Sequence, residues 1–496
     1  MNTFYKPIKP ISLLDHQKSA VAWMNSIEAH SGYYGGILAD NMGLGKTFSI
    51  MGLIGETEEV YRALPQLIIV PLAMVSTWVD TFTAYNFAVY SISSKTGSWV
   101  SRSVGAVPVY ICHYHSLISK PWLFHRSWFR IVVDEAHNIR NYKSRLFSSL
   151  ALLDSHFKWY VTATPIINGI KDLIAPLLWL GVIRSSRISL VELEDIYNSV
   201  VIREKLMLKR SVLDIPSLAP SMPTFTRVDK KVSMNFMESI VFMYLLEICN
   251  FSDRIRGVIM GDCEDIGDIK EVLGLLGDSS MESQEDCEDL EEDMEVSEES
   301  FVSISALKGL HFLKLLSIDY RMLPENIIQG AIQWFQERGG ILSEGSMHPS
   351  KYSEVLEKID NSKGSTIVFC QFNQEIINIK DFLSSSGILG GDIYVINGAV
   401  SEEERASILL EMKDRVSRGH KIVLLLQLKS GACGLNLQYF SSVVFLSLWW
   451  NRAIIDQAIG RVVRLGGSGC KSVVSFGGCV GYDLIIREVL RVKEIA

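Results

Sequence analysis

Lys46 and Thr47 close a glycine-containing turn, Asp40-Asn41-Met42-Gly43-Leu44-Gly45, and some ninety residues later Asp134 and Glu135 stand side by side after the apolar run Ile131-Val132-Val133. These residue types at this spacing are what triphosphate hydrolysis requires. Glycines let the backbone curl so that successive N–H groups face phosphate oxygens. A helix over about 46–54 would aim its positive N-terminus at the same charge. Lys46 would contact the β- and γ-phosphates, and the Thr47 hydroxyl would ligate Mg²⁺. Asp134 would hold that metal through water, and Glu135 would orient and deprotonate the attacking water. Two neighbouring carboxylates repel, so they need a cation or hydrogen-bond donors to stay ionised together.

Each feature also has a purely structural reading. A glycine turn can simply cap a helix, and an Asp-Glu pair can simply open one after a buried strand. The generic phosphate loop starts with glycine where this chain has Asp40, so the turn alone is an imperfect match. A third element is Gln457-Ala458-Ile459-Gly460-Arg461-Val462-Val463-Arg464. Arg461 and Arg464, three apart, share one helix face, where two guanidiniums could stabilise charge on a transferring phosphoryl group. The plain alternative is a solvated basic face.

Short apolar runs must position these groups. Gly36–Ala39, Leu67–Val70, Val107–Ile111, Ile131–Val133 and Trp159–Val161 each end at a polar or turn residue, as parallel strands buried on both faces do. A second set comprises Thr366–Cys370, Ile393–Ile396, Lys421–Leu426 and Ser442–Leu446. Helical patterns lie between, at Gln374–Leu383 and Glu402–Met412. The predicted fold is therefore α/β: two tandem parallel-sheet lobes, with functional residues at strand C-terminal ends. Lobe 1 is expected over 1–230, a helical connector over 231–345 with helices at Phe236–Ile248 and Phe301–Leu316, and lobe 2 over 346–496.

Composition narrows the classes. The chain has 496 residues, 48% hydrophobic and 21% charged, enough for more than one core. It has no apolar run of membrane-spanning length and no secretory pattern at its start, so no membrane partner is expected. Its eight cysteines include no C-x-x-C pair, which fits a reducing compartment better than a zinc ribbon or a disulfide framework. The net charge is −8, yet Asp262–Glu299 alone carries about −16 and the remainder balances to about +8. That acidic stretch, at about 262–300, is expected to be a disordered insertion. A mildly basic body is compatible with a polyanionic partner.

In their order, these elements resemble superfamily 2 helicase-like ATPases, and within them the SNF2 family of DNA translocases. Leu14-Asp15-His16-Gln17 is similar to the family's adenine-reading segment. Ile37 to Thr47 resembles its first motif, whose Asp-Glu-Met-Gly-Leu-Gly-Lys-Thr form accounts for Asp40. Ile69-Val70-Pro71-Leu72 with Trp78, Val133 to Asn141, Thr162 to Asn168, and Leu208-Lys209-Arg210 followed by Asp214-Ile215-Pro216 resemble the next four. In the second lobe, Ile367 to Phe372, Asn397-Gly398 with Glu404-Arg405, Lys429 to Leu437, and Trp450-Asn451 with Gln457 to Arg464 resemble the rest. The short length is most similar to the baculovirus global transactivator branch. Asn41 replaces the family's glutamate, Ala163 its glycine and Ile167 its glutamine, Val462-Val463 replaces Ala-His, and Ala432-Cys433 interrupts the fifth motif. None of these removes a group assigned to phosphates, metal or water.

The resemblance implies two RecA-like lobes with ATP and Mg²⁺ in a cleft between them. Gln17, Asp40, Asn41, Met42, Gly43, Leu44, Gly45, Lys46, Thr47 and Gln457 would bind nucleotide. Lys46, Asp134, Glu135, Arg461 and Arg464 would be catalytic, and Thr47 and Asp134 would serve the metal. The lobes would open and close as ATP is hydrolysed, moving along duplex DNA held by its backbone. DNA contacts are implied around Pro71 and Trp78, Tyr110–Tyr114, Gln371-Phe372, Asn397-Gly398 and Ser430–Asn436. Trp449-Trp450 reads better as core, and His113 and His115 as packing residues. The implied role is viral transcription or chromatin access in the host nucleus, with host or viral transcription or chromatin factors as further partners. Two other classes stay open: a degenerate ATPase acting as an interaction protein through its acidic segment, and a strand-separating helicase.

Overall fold

A computed structural model describes residues 7–30, 34–56, 64–93, 96–167, 169–199, 201–218, 223–261, 304–342, 348–388, 392–428, 435–449, 452–463, 471–478 and 480–495. The acidic insertion, Arg464, Trp450 and Ser430–Gly434 lie outside them. The chain divides into two compact units, residues 1–222 and most of 223–496.

The first unit is built on eight strands. They are β1 (Gly35–Leu38), β2 (Gln66–Val70), β3 (Ala88–Ile92), β4 (Trp99–Ser101), β5 (Pro108–His113), β6 (Trp128–Asp134), β7 (Ser155–Val161) and β8 (Met207–Leu208), in the order β4-β3-β5-β2-β6-β7-β1-β8. All pairings are parallel except β3 with β4. Successive residues point to opposite faces. Ile37, Ile69 and Val133 join one core, and Leu38, Ile68 and Val132 the other. Both faces are covered, and for that reason the runs are continuously apolar rather than alternating. Helix α1 (Asp15–His30) is tied to the sheet by Glu28, which accepts from Arg130 Nε at 2.7 Å and Trp159 Nε1 at 2.8 Å.

The second unit holds six strands, all parallel: β9 (Phe225–Val232), β10 (Thr366–Cys370), β11 (Ile393–Ile396), β12 (Val423–Gln427), β13 (Ser442–Phe445) and β14 (Lys471–Gly478), in the order β11-β12-β10-β13-β14-β9. The expected lobe 1 limit near 230 falls inside β9, whose eight residues pair with β14. The helix Phe236–Ile248 occurs as expected, and its Asn235 and Glu238 form a reciprocal cap. The later connector helix is shorter than expected, Ala306–Leu316, started by Ser305 capping Lys308.

A buried polar network braces this unit. Asp319 accepts from Arg321, Tyr352 and Asn378. Lys351 meets Asp483 at 2.6 Å. Glu375 accepts from the backbone N–H of Gln371 at 2.6 Å and of Phe372 at 3.1 Å, at the start of the helix Asn373–Ser385. Burial, with Asp319 nearby, pushes the Glu375 carboxyl up to about 7, against the pull of those N–H groups and Lys351.

Candidate functional site

Within the first unit, β6 and β1 flank β7, so three strand ends deliver their loops side by side. The turn after β1 runs directly into helix α2 (Lys46–Glu56). Gly43 and Gly45 take φ of +85° and +76°, the left-handed region that only glycine enters at little cost. Lys46 Nζ donates to the Asp40 carbonyl across the turn at 2.8 Å. The Asp40 side chain is buried and gripped by Arg210, with Nε to Oδ1 at 2.9 Å and Nη2 to Oδ2 at 2.6 Å. The Asn41 N–H donates to the Arg210 carbonyl at 2.8 Å. The residue that breaks the generic glycine pattern is thus a bracket that fixes the root of the turn.

Gln17, at the start of α1, is buried. Its Nε2 donates to the Leu44 carbonyl at 3.1 Å, and its Oε1 accepts from the Leu14 N–H at 3.0 Å. His16 Nε2 reaches the same Leu44 carbonyl at 2.8 Å. The segment expected to read adenine is therefore also a brace for the turn.

Asp134 and Glu135 terminate β6, both buried. Glu135 adopts φ 48°, ψ 45°, a left-handed turn that leads into the short helix Ala136–Ile139. For a non-glycine residue this costs about 1–2 kcal/mol. Burial and the Glu135 charge push the Asp134 carboxyl up to about 7, while the Lys46 ammonium, the Glu135 N–H and the Trp78 indole pull it down. The turn after β1 and the end of β6 lie on either side of the β7 end. Glu135 Oε2 lies 3.6 Å from His137 Nδ1, which is 3.1 Å from the Thr162 hydroxyl at the end of β7. The Thr164 N–H closes the line by donating to Thr162 Oγ1 at 3.1 Å.

The oxygen donors fit a hard divalent cation. The Thr47 hydroxyl and the Asp134 carboxylate supply oxygen, and a buried carboxylate that resists ionisation is one a cation would relieve. The expected groups Gln17, Asp40–Thr47, Asp134 and Glu135 thus occupy one region of one unit. Gln457 and Arg461 belong to the other unit, one helical turn apart on the helix Arg452–Val462, both buried.

Three partners of the site escaped the sequence reading. Trp78 is buried, and its indole Nε1 donates to Asp134 Oδ2 at 3.0 Å. Tyr110 is buried and stacks on Tyr90 with centroids 4.6 Å apart. Tyr114 donates its hydroxyl to the Asp134 carbonyl. Arg210, read only as part of a segment resembling a family motif, is the third. Asn397 and Gly398 are accessible at the end of β11. Trp449 is buried, as the core reading had it.

Residues 16–186 match the SNF2-related domain, and residues 350–466 match the helicase conserved C-terminal domain. The chain belongs to the SNF2 family. A probable global transactivator of Orgyia pseudotsugata multicapsid polyhedrosis virus is 24% identical over 474 residues, covering 92% of this chain and 84% of that protein. An uncharacterised ATP-dependent helicase of Mycoplasma pneumoniae is 25% identical over the same length, again covering 92% of this chain but only 39% of its own. The solved Sulfolobus solfataricus SWI2/SNF2 ATPase core in complex with dsDNA aligns over 96% of this chain and 90% of that one, at 19% identity and a TM-score of 0.40. No helix among the described residues is long and apolar enough to cross a membrane.

Proposed function

We propose that this SNF2-family chain is an ATP hydrolase that uses the energy to move along duplex DNA and displace what is bound to it, in viral transcription or chromatin access within the host nucleus. The observation that carries the reading is the convergence of Lys46, Thr47, Asp134 and Glu135 at neighbouring strand ends of one sheet. Lys46 and the α2 N-terminus bind the phosphates. Thr47 and Asp134 would hold a Mg²⁺ ion, which when bound would neutralise phosphate oxygens. Glu135, held at the β6 terminus by its left-handed turn, takes the proton of the attacking water. His137 and Thr162 connect that carboxylate to the β7 loop. By motif, Arg461 and Arg464 are the candidates for stabilising charge on the transferring phosphoryl group. Matching the family and aligning along most of a probable viral global transactivator supports the setting.

The deciding measurement is phosphate release by the purified chain with no nucleic acid, single-stranded DNA, duplex DNA or RNA. Duplex DNA is expected to stimulate most. Lys46→Ala is expected to abolish turnover. Glu135→Gln is expected to abolish it while nucleotide still binds. Wild-type turnover by either variant contradicts the site.

A further inference from the structure

Asp134 is held from outside its own strand by two aromatic residues that hydrolysis itself does not call for. Its two carboxylate oxygens have separate protein donors. Oδ1 accepts from the Glu135 N–H at 3.0 Å, and Oδ2 accepts from Trp78 Nε1 at 3.0 Å. The Tyr114 hydroxyl donates to the backbone carbonyl of the same residue. Trp78 belongs to the helix Val75–Ala84, and Tyr114 follows β5, so two separate elements converge on one residue, one at its carboxylate and one at its backbone carbonyl.

The Trp78 ring is not free to follow Asp134. Trp78 stacks on Phe82, centroids 5.7 Å apart and planes 17° from parallel, and Phe82 packs on Phe87 at 4.8 Å. A carboxylate fixed at both oxygens and at its backbone has one orientation. Each oxygen then keeps a lone pair in a set direction. Outer-shell donors of this kind orient a metal-binding carboxylate.

We infer that Trp78 and Tyr114 are positioning residues for Asp134, holding its carboxylate in the orientation that receives the hydrated divalent cation of a metal–nucleotide complex. The inference rests on the nucleotide site proposed above. It assigns the helix Val75–Ala84 a task on the nucleotide side of the sheet.

Calorimetric titration of the full chain with ADP, once with Mg²⁺ and once with EDTA, tests it on wild type, Trp78→Phe, Tyr114→Phe and Lys46→Ala. Each aromatic variant keeps a ring and loses one donor. Loss of an outer-shell partner weakens metal affinity by about 10–100-fold. Affinity for ADP with Mg²⁺ is therefore expected to fall by about that factor in Trp78→Phe, and in the same direction in Tyr114→Phe. Affinity in EDTA is expected to stay at the wild-type value. Unchanged affinity with Mg²⁺ overturns the inference, and so does an equal loss with and without it, which marks a merely structural role. Circular dichroism checks folding, and if Trp78→Phe does not fold, Tyr114→Phe decides. If wild type binds ADP and Lys46→Ala does not, the site stands whatever the aromatic variants do. If wild type binds no nucleotide, the site and this inference both fall.

Discussion

The Arg210 guanidinium meets the Asp40 carboxylate edge to edge, with two parallel hydrogen bonds of 2.9 and 2.6 Å. The Asp40 side chain is 1% exposed, and among the described residues Arg210 is what its carboxylate oxygens meet. Removing one partner of a buried pair strands the other, at about 3–5 kcal/mol. Arg210→Ala is expected to lower stability by that order in urea denaturation and to weaken nucleotide binding by loosening the turn. Arg210→Lys should not rescue it, because an ammonium cannot reproduce the two-pronged geometry.

Gly45 is a sharper probe of the same turn. A Cβ placed there would sit 2.4 Å from Gln17 Nε2, and the backbone holds φ +76°. Gly45→Ala must bear about 1–2 kcal/mol of left-handed strain and push Gln17 off the Leu44 carbonyl. Nucleotide affinity is expected to fall at least tenfold while the melting temperature drops by only a few degrees. Gln17→Ala, which removes the brace without the strain, should fall between wild type and Gly45→Ala in the same titration.

Glu28 separates stability from chemistry. It accepts from the fully buried Arg130 and from Trp159, away from the loops at the strand ends. Glu28→Ala strands a buried guanidinium and is expected to cost about 3–5 kcal/mol in chemical denaturation. Below its unfolding transition, the variant should bind ADP with the wild-type ratio of affinities with and without Mg²⁺.

Glu375 sets a pH dependence in the second unit. Its folded value, about 7, lies above the ordinary 4.5, so the folded chain keeps a proton that the unfolded chain releases in between. Its contribution to stability is therefore full below the ordinary value, declines as pH rises, and is lost above about 7. Glu375→Gln removes the titration. The stability of wild type minus that of the variant should decrease by up to about 3 kcal/mol from pH 4.5 to 8, read from denaturation curves at each pH. A difference that does not change with pH would refute the assignment.

Much of this was legible in one dimension because parallel strands buried on both faces leave unbroken apolar runs. β10 and β11 match their expected spans residue for residue, and β2, β6 and β7 contain theirs. β9 was not legible. It is an edge strand reading Phe-Thr-Arg-Val-Asp-Lys-Lys-Val, mostly exposed, with charges that suit an edge and hide the pattern. β14 was missed because its run Lys-Ser-Val-Val-Ser-Phe-Gly-Gly mixes small polar residues into a buried strand. The phosphate turn and the carboxylate pair were readable because their chemistry demands fixed local spacing. Their supports were not: Arg210 reaches Asp40 from 170 positions away, and Trp78 reaches Asp134 from 56. Such partners are set by three-dimensional packing, and spacing carries no trace of them.

The pairing of β9 with β14 places Phe225 opposite Lys471 and Val232 opposite Gly478. A ribosome releases the first of these strands some 240 residues before its mate. Throughout that interval β9 has no hydrogen-bonding neighbour in its own sheet, since it pairs with β14 alone. The second unit therefore completes itself late in synthesis, whereas every strand of the first sheet has already emerged by Leu208. Premature termination between Leu208 and β14 would leave a complete first sheet joined to an open-edged, aggregation-prone remainder.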